Sequence, residues 1–119
     1  MKKTLVLGAS TRPDRYSYIA IKRLTGANID TVAVGRRKGQ ACGITIFDEP
    51  MPFKDIHTVT LYLNPRNQEP YFDYIASLQP KRVIFNPGTE NPKLYSFLES
   101  KGIEVEVACT LVMISVNNY

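Results

Sequence analysis

Short apolar segments alternate with longer amphipathic segments along this chain, and this alternation constrains the fold more than any other feature. The first segment, residues 4–7, is a continuous apolar run that ends at Gly8. It is too short for a helix and lacks polar alternation, so it predicts a strand that is covered on both faces. Apolar side chains between Ile19 and Leu24 then recur at helical spacing, which predicts a helix ending near Gly26.

The same pattern recurs to the end of the chain. Strands are predicted at residues 31–34, 58–63, 82–85 and 103–107, with a short extended piece at 44–46, and helical stripes at residues 71–78 and 94–98. Strands and helices in this order favour a doubly wound, Rossmann-like α/β domain. It would have a parallel sheet of about five strands and helices on both faces. The apolar tail, residues 111–116, is expected to complete the sheet or to contact a partner, which leaves a homodimer open.

Length and composition agree with one domain over residues 1–119, since single domains most often have roughly 100–150 residues. Two cysteines are too few for a fold that depends on disulfide bonds, and no leader-like segment precedes the first strand. No apolar run approaches the ~20 residues of a membrane-spanning helix. We therefore expect a cytoplasmic protein with free thiols and no membrane insertion.

The positive charge is concentrated in the first third of the chain. The net charge is +4, but residues 1–40 have nine Lys and Arg against two Asp, a balance of +7 that leaves −3 for the remainder. A surplus confined to one part of the chain indicates a localised anion site rather than general polyanion binding.

The loop after the first strand has the residue types of a phosphate site. Ligands of doubly wound sheets bind beyond the carboxyl ends of the strands, where this loop lies. Gly8 allows close backbone approach, hydroxyls and guanidinium groups follow, and the next helix presents its N-terminus, with Ser17 as the predicted cap. The predicted site residues here are Gly8, Ala9, Ser10, Thr11, Arg12, Pro13, Arg15 and Ser17. The dinucleotide fingerprint G-x-G-x-x-G is absent, because Ser10 and Pro13 occupy its later glycine positions.

The loop after the second strand is strongly cationic. An NAD enzyme has an acidic residue here for the ribose hydroxyls, whereas this chain has Gly35-Arg36-Arg37-Lys38. Three consecutive cations suit a phosphate on the ribose, as in NADP or in the 3′-phosphoadenosine part of coenzyme A. A solvated loop with no ligand is an equally good interpretation of this run taken alone.

Catalytic groups are scarce. The loop after the fourth predicted strand contains Pro87 and Gly88 and is expected to line the same cleft, with Thr89 or Asn91 capping the next helix. The single histidine, His57, is expected at the opposite end of the sheet from the cleft. Cys109 follows the last strand at the ligand end but has no histidine nearby in the sequence to activate it. The two cysteines match no zinc spacing, so no metal site is predicted.

The chain resembles the family of small CoA-binding proteins, which are similar to the N-terminal CoA-binding domain of the succinyl-CoA synthetase α subunit. The likeness lies in a strand followed by Gly-x-Ser, a proline, a basic residue and a helix-opening serine, here Gly8, Ser10, Pro13, Arg15 and Ser17. Weaker similarities extend over almost the whole chain. The chain differs from the family after the second strand, where the family often has Asn-Pro, and before the late cysteine, where it often has arginine.

The resemblance implies coenzyme A, free or acylated, as the ligand. It implies that the first loop holds the pyrophosphate and that Arg36, Arg37 or Lys38 holds the adenosine 3′-phosphate. It places Asn64 and Pro65 near the adenine or ribose, Gly88 along the pantetheine and Cys109 near the site. Ligase activity is not implied, because the phosphohistidine of the synthetase lies in a further domain.

Three hypotheses follow for function. The leading one is a stand-alone CoA or acyl-CoA binding protein without catalysis. The alternative is an NADP-binding oxidoreductase-like domain, disfavoured by the missing glycine fingerprint and the lack of an acid–base pair. A nucleic-acid or protein interaction module, suggested by the basic first third and by tyrosines 16, 18 and 71, is disfavoured because aromatic and basic residues do not interleave along one element.

Overall fold

The computed structural model describes residues 2–119 and shows an α/β domain built on one seven-stranded sheet. The strands are β1 (Thr4–Ala9), β2 (Thr31–Gly35), β3 (Gly39–Ala41), β4 (Ile44–Phe47), β5 (Thr58–Leu61), β6 (Arg82–Phe85) and β7 (Glu104–Val107). The helices are α1 (Tyr16–Gly26), α2 (Pro65–Gln68), α3 (Phe72–Ser77), α4 (Pro92–Ser100) and α5 (Thr110–Ser115), with a 3₁₀ turn at Glu69–Tyr71.

The sheet order is β3-β4-β2-β1-β5-β6-β7, and every pairing except β3 with β4 is parallel. The predicted α/β class with a mostly parallel sheet is thus confirmed. From β1 the chain passes through α1 to β2 on one side, whereas β5 pairs with β1 on the other side. Strand order therefore reverses at β1, and the connections after β1 and β5 lead to helices on opposite faces of the sheet.

The two faces of the sheet are both covered because side chains alternate along each strand. Val6, Ala33 and Ile46 pack with Ile21 and Leu24 of α1. The other face is larger, and its buried members include Leu5, Leu7, Val59, Leu61, Val83, Phe85, Ile75, Leu94 and Leu98. Each fully buried leucine or isoleucine stabilises the fold by roughly 1.5–3 kcal/mol before the entropy of ordering is subtracted.

The structure differs from the local predictions at three short elements. The predicted loop after β2 contains strand β3, which pairs with β4 through a turn where Cys42 and Gly43 have φ of 52° and 79°. The apolar tail is not a strand: it forms α5, because Thr110 and Met113 lie three residues apart and are both buried. The predicted strand at residues 58–63 ends at Leu61, although the Tyr62 amide still donates to the Leu7 carbonyl at 2.8 Å.

Among residues 2–119, no helix has the length and hydropathy needed to cross a bilayer.

Candidate functional site

A cleft of about 800 Å³ lies over the carboxyl ends of β1, β2, β5 and β6. The sequence-predicted residues that line it are Gly8, Ala9, Ser10, Thr11, Arg12, Arg15, Ser17, Arg36, Arg37, Asn64, Pro87 and Gly88. These residues come from four loops that are far apart in the sequence. The fold therefore brings most of the predicted site into one concave surface.

Some predicted residues lie outside the cleft wall. Pro13, Lys38, Pro65 and Cys109 are not among its lining residues, and Gly35 lines a smaller side cavity instead. Sequence reasoning also missed the lining residues Tyr16, Tyr62, Leu63 and Asn67, whereas Thr89 lies in a loop that was expected to line the cleft. Tyr62 and Leu63 directly follow β5 at the point of strand reversal, and that position was the signal that could have identified them.

Gly8 allows the first loop to pack against the loop after β5. It is an extra residue in β1 relative to β2, where Leu7 pairs with Val34 and Ala9 with Gly35. Its φ is +98°, and a Cβ there would lie 3.0 Å from the Tyr62 carbonyl carbon. A side chain at this position would be strained and would force the two loops apart.

Beyond Gly8, the first loop is held in turns by its own backbone. The Arg12 amide donates to Ser10 Oγ at 3.1 Å, and the Arg15 amide donates to the Arg12 carbonyl at 3.1 Å. Arg12 forms an exposed ion pair with Asp14 at 3.6 Å, whereas Arg15 has no ion-pair partner among residues 2–119. Of the two guanidinium groups, Arg15 is the one left free for an external anion.

The N-terminus of α1 faces the cleft without a side-chain cap. The helix begins at Tyr16 with Arg15 in the N-cap position, so the prediction that Ser17 caps it was wrong. Ser17 instead lies in the first turn and is buried. The first amides of a helix have no intrahelical acceptor, and no acidic residue occupies this first turn. These amides are available to an anion in the cleft.

The cationic loop after β2 lies beside the first loop because Gly35 packs against β1. A Cβ on Gly35 would lie 2.2 Å from the Ala9 carbonyl oxygen, closer than any side chain tolerates. Arg36, Arg37 and Lys38 follow directly, are exposed, and form no ion pair within the described chain. Positive charge from two separate loops therefore converges on one cleft without internal neutralisation.

The opposite wall is tied together by Gln68, whose side chain is fully buried. Its Nε2 donates to the Leu63 carbonyl at 2.9 Å and to the Thr89 carbonyl at 2.8 Å, and its Oε1 accepts from Asn91 Nδ2 at 2.9 Å. Asn91 occupies the N-cap position of α4, but its side chain makes this contact rather than a cap. The loops after β5 and β6 are thus held as one unit.

Tyr62 presents its ring to the cleft and buries its hydroxyl. Burial raises the pKa of Tyr62 to about 12, with partial relief from the neighbouring Thr60 and Thr110 hydroxyls. Those two hydroxyls pair with each other at 2.7 Å, and Tyr62 Oη has no hydrogen-bond partner in residues 2–119. The phenol therefore stays protonated at neutral pH and cannot act as a general base there.

The titratable residues singled out in the sequence lie elsewhere. His57 lies at the amino end of β5, where its Nδ1 is 2.7 Å from Thr58 Oγ1. Cys109 occupies the N-cap position of α5, and Cys42 is exposed in the β3–β4 turn.

The described residues that line the cleft include no carboxylate, imidazole or thiol. No metal-ligating group of three or more side chains was found across residues 2–119. The arrangement suits binding of a multiply charged anion.

The comparisons with known proteins agree with this geometry. The model of a family described as CoA binding domain matches residues 2–115. The chain belongs to this family. The CoA binding domain is also similar throughout to an uncharacterized protein of known crystal structure, with 50% identity, coverage of 100% of this chain and 98% of the other, and a TM-score of 0.97.

More distant structures share the fold of this CoA binding domain. A hypothetical protein from Pyrococcus horikoshii OT3 is 24% identical, with coverage of 97% of this chain and 82% of its own and a TM-score of 0.86. A Thermus thermophilus protein is 20% identical, with coverage of 99% and 90% and a TM-score of 0.86. A comparison with curated proteins gave no match.

Proposed function

We propose that this protein binds coenzyme A or an acyl-CoA as a stand-alone domain, without catalysis of its own. One observation carries the proposal: Arg15, Arg36 and Arg37 line one cleft from two loops, and none of them has a carboxylate partner in residues 2–119. Coenzyme A has a pyrophosphate and a ribose phosphomonoester, which are the anionic groups that guanidinium groups and helix amides bind best. Membership of the CoA binding domain family supports the same ligand.

The pyrophosphate would lie at the first loop. Gly8 leaves room for backbone approach, the free amides of α1 donate from one side, and Arg15 adds a guanidinium group from the other. The remaining predicted residues of this loop shape the turn: Ala9, Ser10, Thr11, Arg12, Pro13 and Ser17. Arg12 contributes less charge than Arg15, because Asp14 partly neutralises it.

The rest of the ligand would follow the cleft away from the first loop. The adenosine 3′-phosphate is assigned to the cations after Gly35, namely Arg36, Arg37 and Lys38, and the adenine or ribose to Asn64 and Pro65. The pantetheine would run along Pro87 and Gly88 toward the edge of the sheet formed by β7, the strand that Cys109 follows. Four of the predicted residues would contribute to binding from positions outside the cleft wall: Pro13, Lys38, Pro65 and Cys109.

Binding without chemistry fits the composition of the wall. General acid–base or nucleophilic catalysis needs a group that is poised near neutral pH, and the cleft offers hydroxyls, amides and arginines instead. NADP also has a phosphate on its ribose, so the same experiment compares it with coenzyme A.

Calorimetric titration of the folded protein with CoA, dephospho-CoA and NADPH tests the proposal. We expect saturable binding of CoA, weaker binding of dephospho-CoA, and a loss for the Arg15→Ala variant. Arg23→Ala is the matched control, since Arg23 is exposed in the last turn of α1 and away from the cleft. No heat with CoA up to millimolar concentration would reject the proposal, and tight binding of NADPH alone would replace it with the NADP alternative.

A further inference from the structure

A side cavity of about 240 Å³ adjoins the cleft between the loop after β2 and helix α2. Arg36 lines it from the loop and Arg66 from α2. Pro70 and Tyr71, at the 3₁₀ turn after α2, contribute its less polar wall. Arg66 was not among the predicted site residues, although the resemblance placed Asn64 and Pro65, directly before it, near the adenine or ribose.

The position of β1 in the sheet explains why these two arginines can line one cavity. β1 lies between β2 and β5 in the sheet, so the segments that follow β2 and β5 lie on either side of it. Gly8 lines both the cleft and the side cavity, so the two cavities adjoin at this residue.

The charge in the side cavity is not balanced by the protein. Arg36 and Arg66 are both exposed, and neither forms an ion pair within the described residues. No carboxylate lines this cavity in residues 2–119. Two guanidinium forks that approach from different elements suit a doubly charged, multi-oxygen anion better than a single carboxylate. The volume of about 240 Å³ suits a phosphorylated ribose.

We propose that this side cavity receives a ribose phosphomonoester and that Arg66, together with Arg36, determines specificity for it. The inference rests on the proposed nucleotide-binding function and adds to it a residue and a place for the phosphate. The ligand can supply the phosphomonoester from two sources, the 3′-phosphate of coenzyme A or the 2′-phosphate of NADP. Tyr71 and Pro70 form the surface against which the attached nucleoside lies.

The test compares ligand pairs that differ by this one phosphate. The affinities of the wild-type protein, Arg66→Ala and Arg66→Lys are measured by calorimetry for CoA against dephospho-CoA and for NADP⁺ against NAD⁺. Loss of one charge-assisted contact is expected to weaken binding of the phosphorylated ligand about tenfold and to change that of its partner by less than about twofold. Arg66→Lys should retain part of the preference, because it keeps the charge and loses the bidentate geometry. Arg23→Ala controls for the change in net charge, and the melting temperature of each variant confirms that it folds.

Each outcome decides a separate point. A loss confined to CoA supports the site with the 3′-phosphate, and a loss confined to NADP⁺ supports it with the 2′-phosphate and excludes the 3′-phosphate of coenzyme A from this cavity. Equal weakening of both members of a pair, or an unchanged preference in Arg66→Ala, overturns the role of Arg66 and leaves the proposed function standing. If the wild-type protein binds none of the four nucleotides, both proposals fail.

Discussion

Gln68 Nε2 donates a hydrogen bond of 2.8 Å to the carbonyl oxygen of Thr89, and this contact joins two walls of the cleft that are 21 residues apart in sequence. The same amide nitrogen also holds the Leu63 carbonyl at 2.9 Å. A buried side chain whose polar atoms are all paired fixes its neighbours more firmly than an apolar contact does. The cleft is therefore preformed on this side, which lowers the ordering cost of binding.

Replacing Gln68 should both destabilise the fold and weaken ligand binding. Gln68→Ala leaves the Leu63 and Thr89 carbonyls without their buried donor, at a cost of about 1–3 kcal/mol in the free energy of unfolding. Urea denaturation measures this cost, and calorimetry with CoA measures the effect on binding. Gln40→Ala is the matched control, because Gln40 is exposed on β3. An unchanged unfolding free energy for Gln68→Ala would show that the network does not stabilise the wall.

Gly8 and Gly88 offer a matched pair that separates backbone strain from crowding. Both have positive φ, +98° and +93°, but a Cβ meets the Tyr62 backbone at Gly8 and nothing within 4 Å at Gly88. We expect Gly8→Ala to cost more than Gly88→Ala, by about 1 kcal/mol or more, because overpacking adds to the strain. Thermal denaturation measures both. Equal costs would mean that the loops after β1 and β5 are not in tight contact.

Tyr62 and Tyr74 form a second matched pair, because burial raises the pKa of each to about 12. Tyr74 Oη donates to the Met51 carbonyl at 2.6 Å, whereas Tyr62 Oη has no partner in residues 2–119. Tyr74→Phe should cost about 1 kcal/mol, and Tyr62→Phe should be neutral or stabilising, since it removes an unpaired buried hydroxyl. The unfolding free energy in urea distinguishes them. A larger cost for Tyr62→Phe would reveal a hydrogen bond that this structure lacks.

His57 should make the fold less stable in mild acid. Burial lowers the pKa of His57, and the nearby positive charges of Arg82, Lys2 and Lys81 lower it further. The unfolded chain then binds a proton at a higher pH than the folded chain does. The stability from neutral His57 is fully present above the ordinary pKa of about 6.5 and is lost as the pH falls from there through the folded-state value.

The melting temperature between pH 7.5 and pH 5 checks this expectation. His57→Gln keeps a polar side chain at this position but cannot titrate, so the difference between the two proteins isolates the histidine from carboxylates that also titrate. The wild-type melting temperature should fall more steeply than that of the variant. Parallel curves would contradict the lowered pKa of His57.

The parallel core of the fold was predictable from the sequence, whereas its short elements were not. Residues 4–7 and 82–85 predict strands because each contains a continuous apolar run, residues 5–7 and 83–85, and the structure buries both. β3 has three residues, Gly39–Ala41, too few to show any period, and they form a strand by pairing with β4, with Ala41 buried among residues of α1. The tail became a helix through the burial of Thr110 and Met113, a tertiary effect that its apolar composition does not encode.

The residues of the candidate site were likewise predictable from the sequence only in part. Glycines and cations in the loops after β1 and β2 are visible in the sequence, because these residue types are unusual together at strand ends. Gln68 and Arg66 are not visible, since an isolated glutamine or arginine on a short helix has no distinguishing pattern. Their roles depend on which loops the sheet order brings together.

The location of coenzyme A in the cleft is the central claim, and amide chemical-shift mapping tests it most directly. The ¹⁵N-labelled protein is titrated with CoA and its two-dimensional NMR spectrum is followed. Saturable shifts are predicted at Gly8, Arg15, Ser17, Arg36 and Gly88, with Cys42 and His57 unchanged. Shifts that cluster around Cys42 or His57, or an unchanged spectrum at millimolar CoA, would contradict the account.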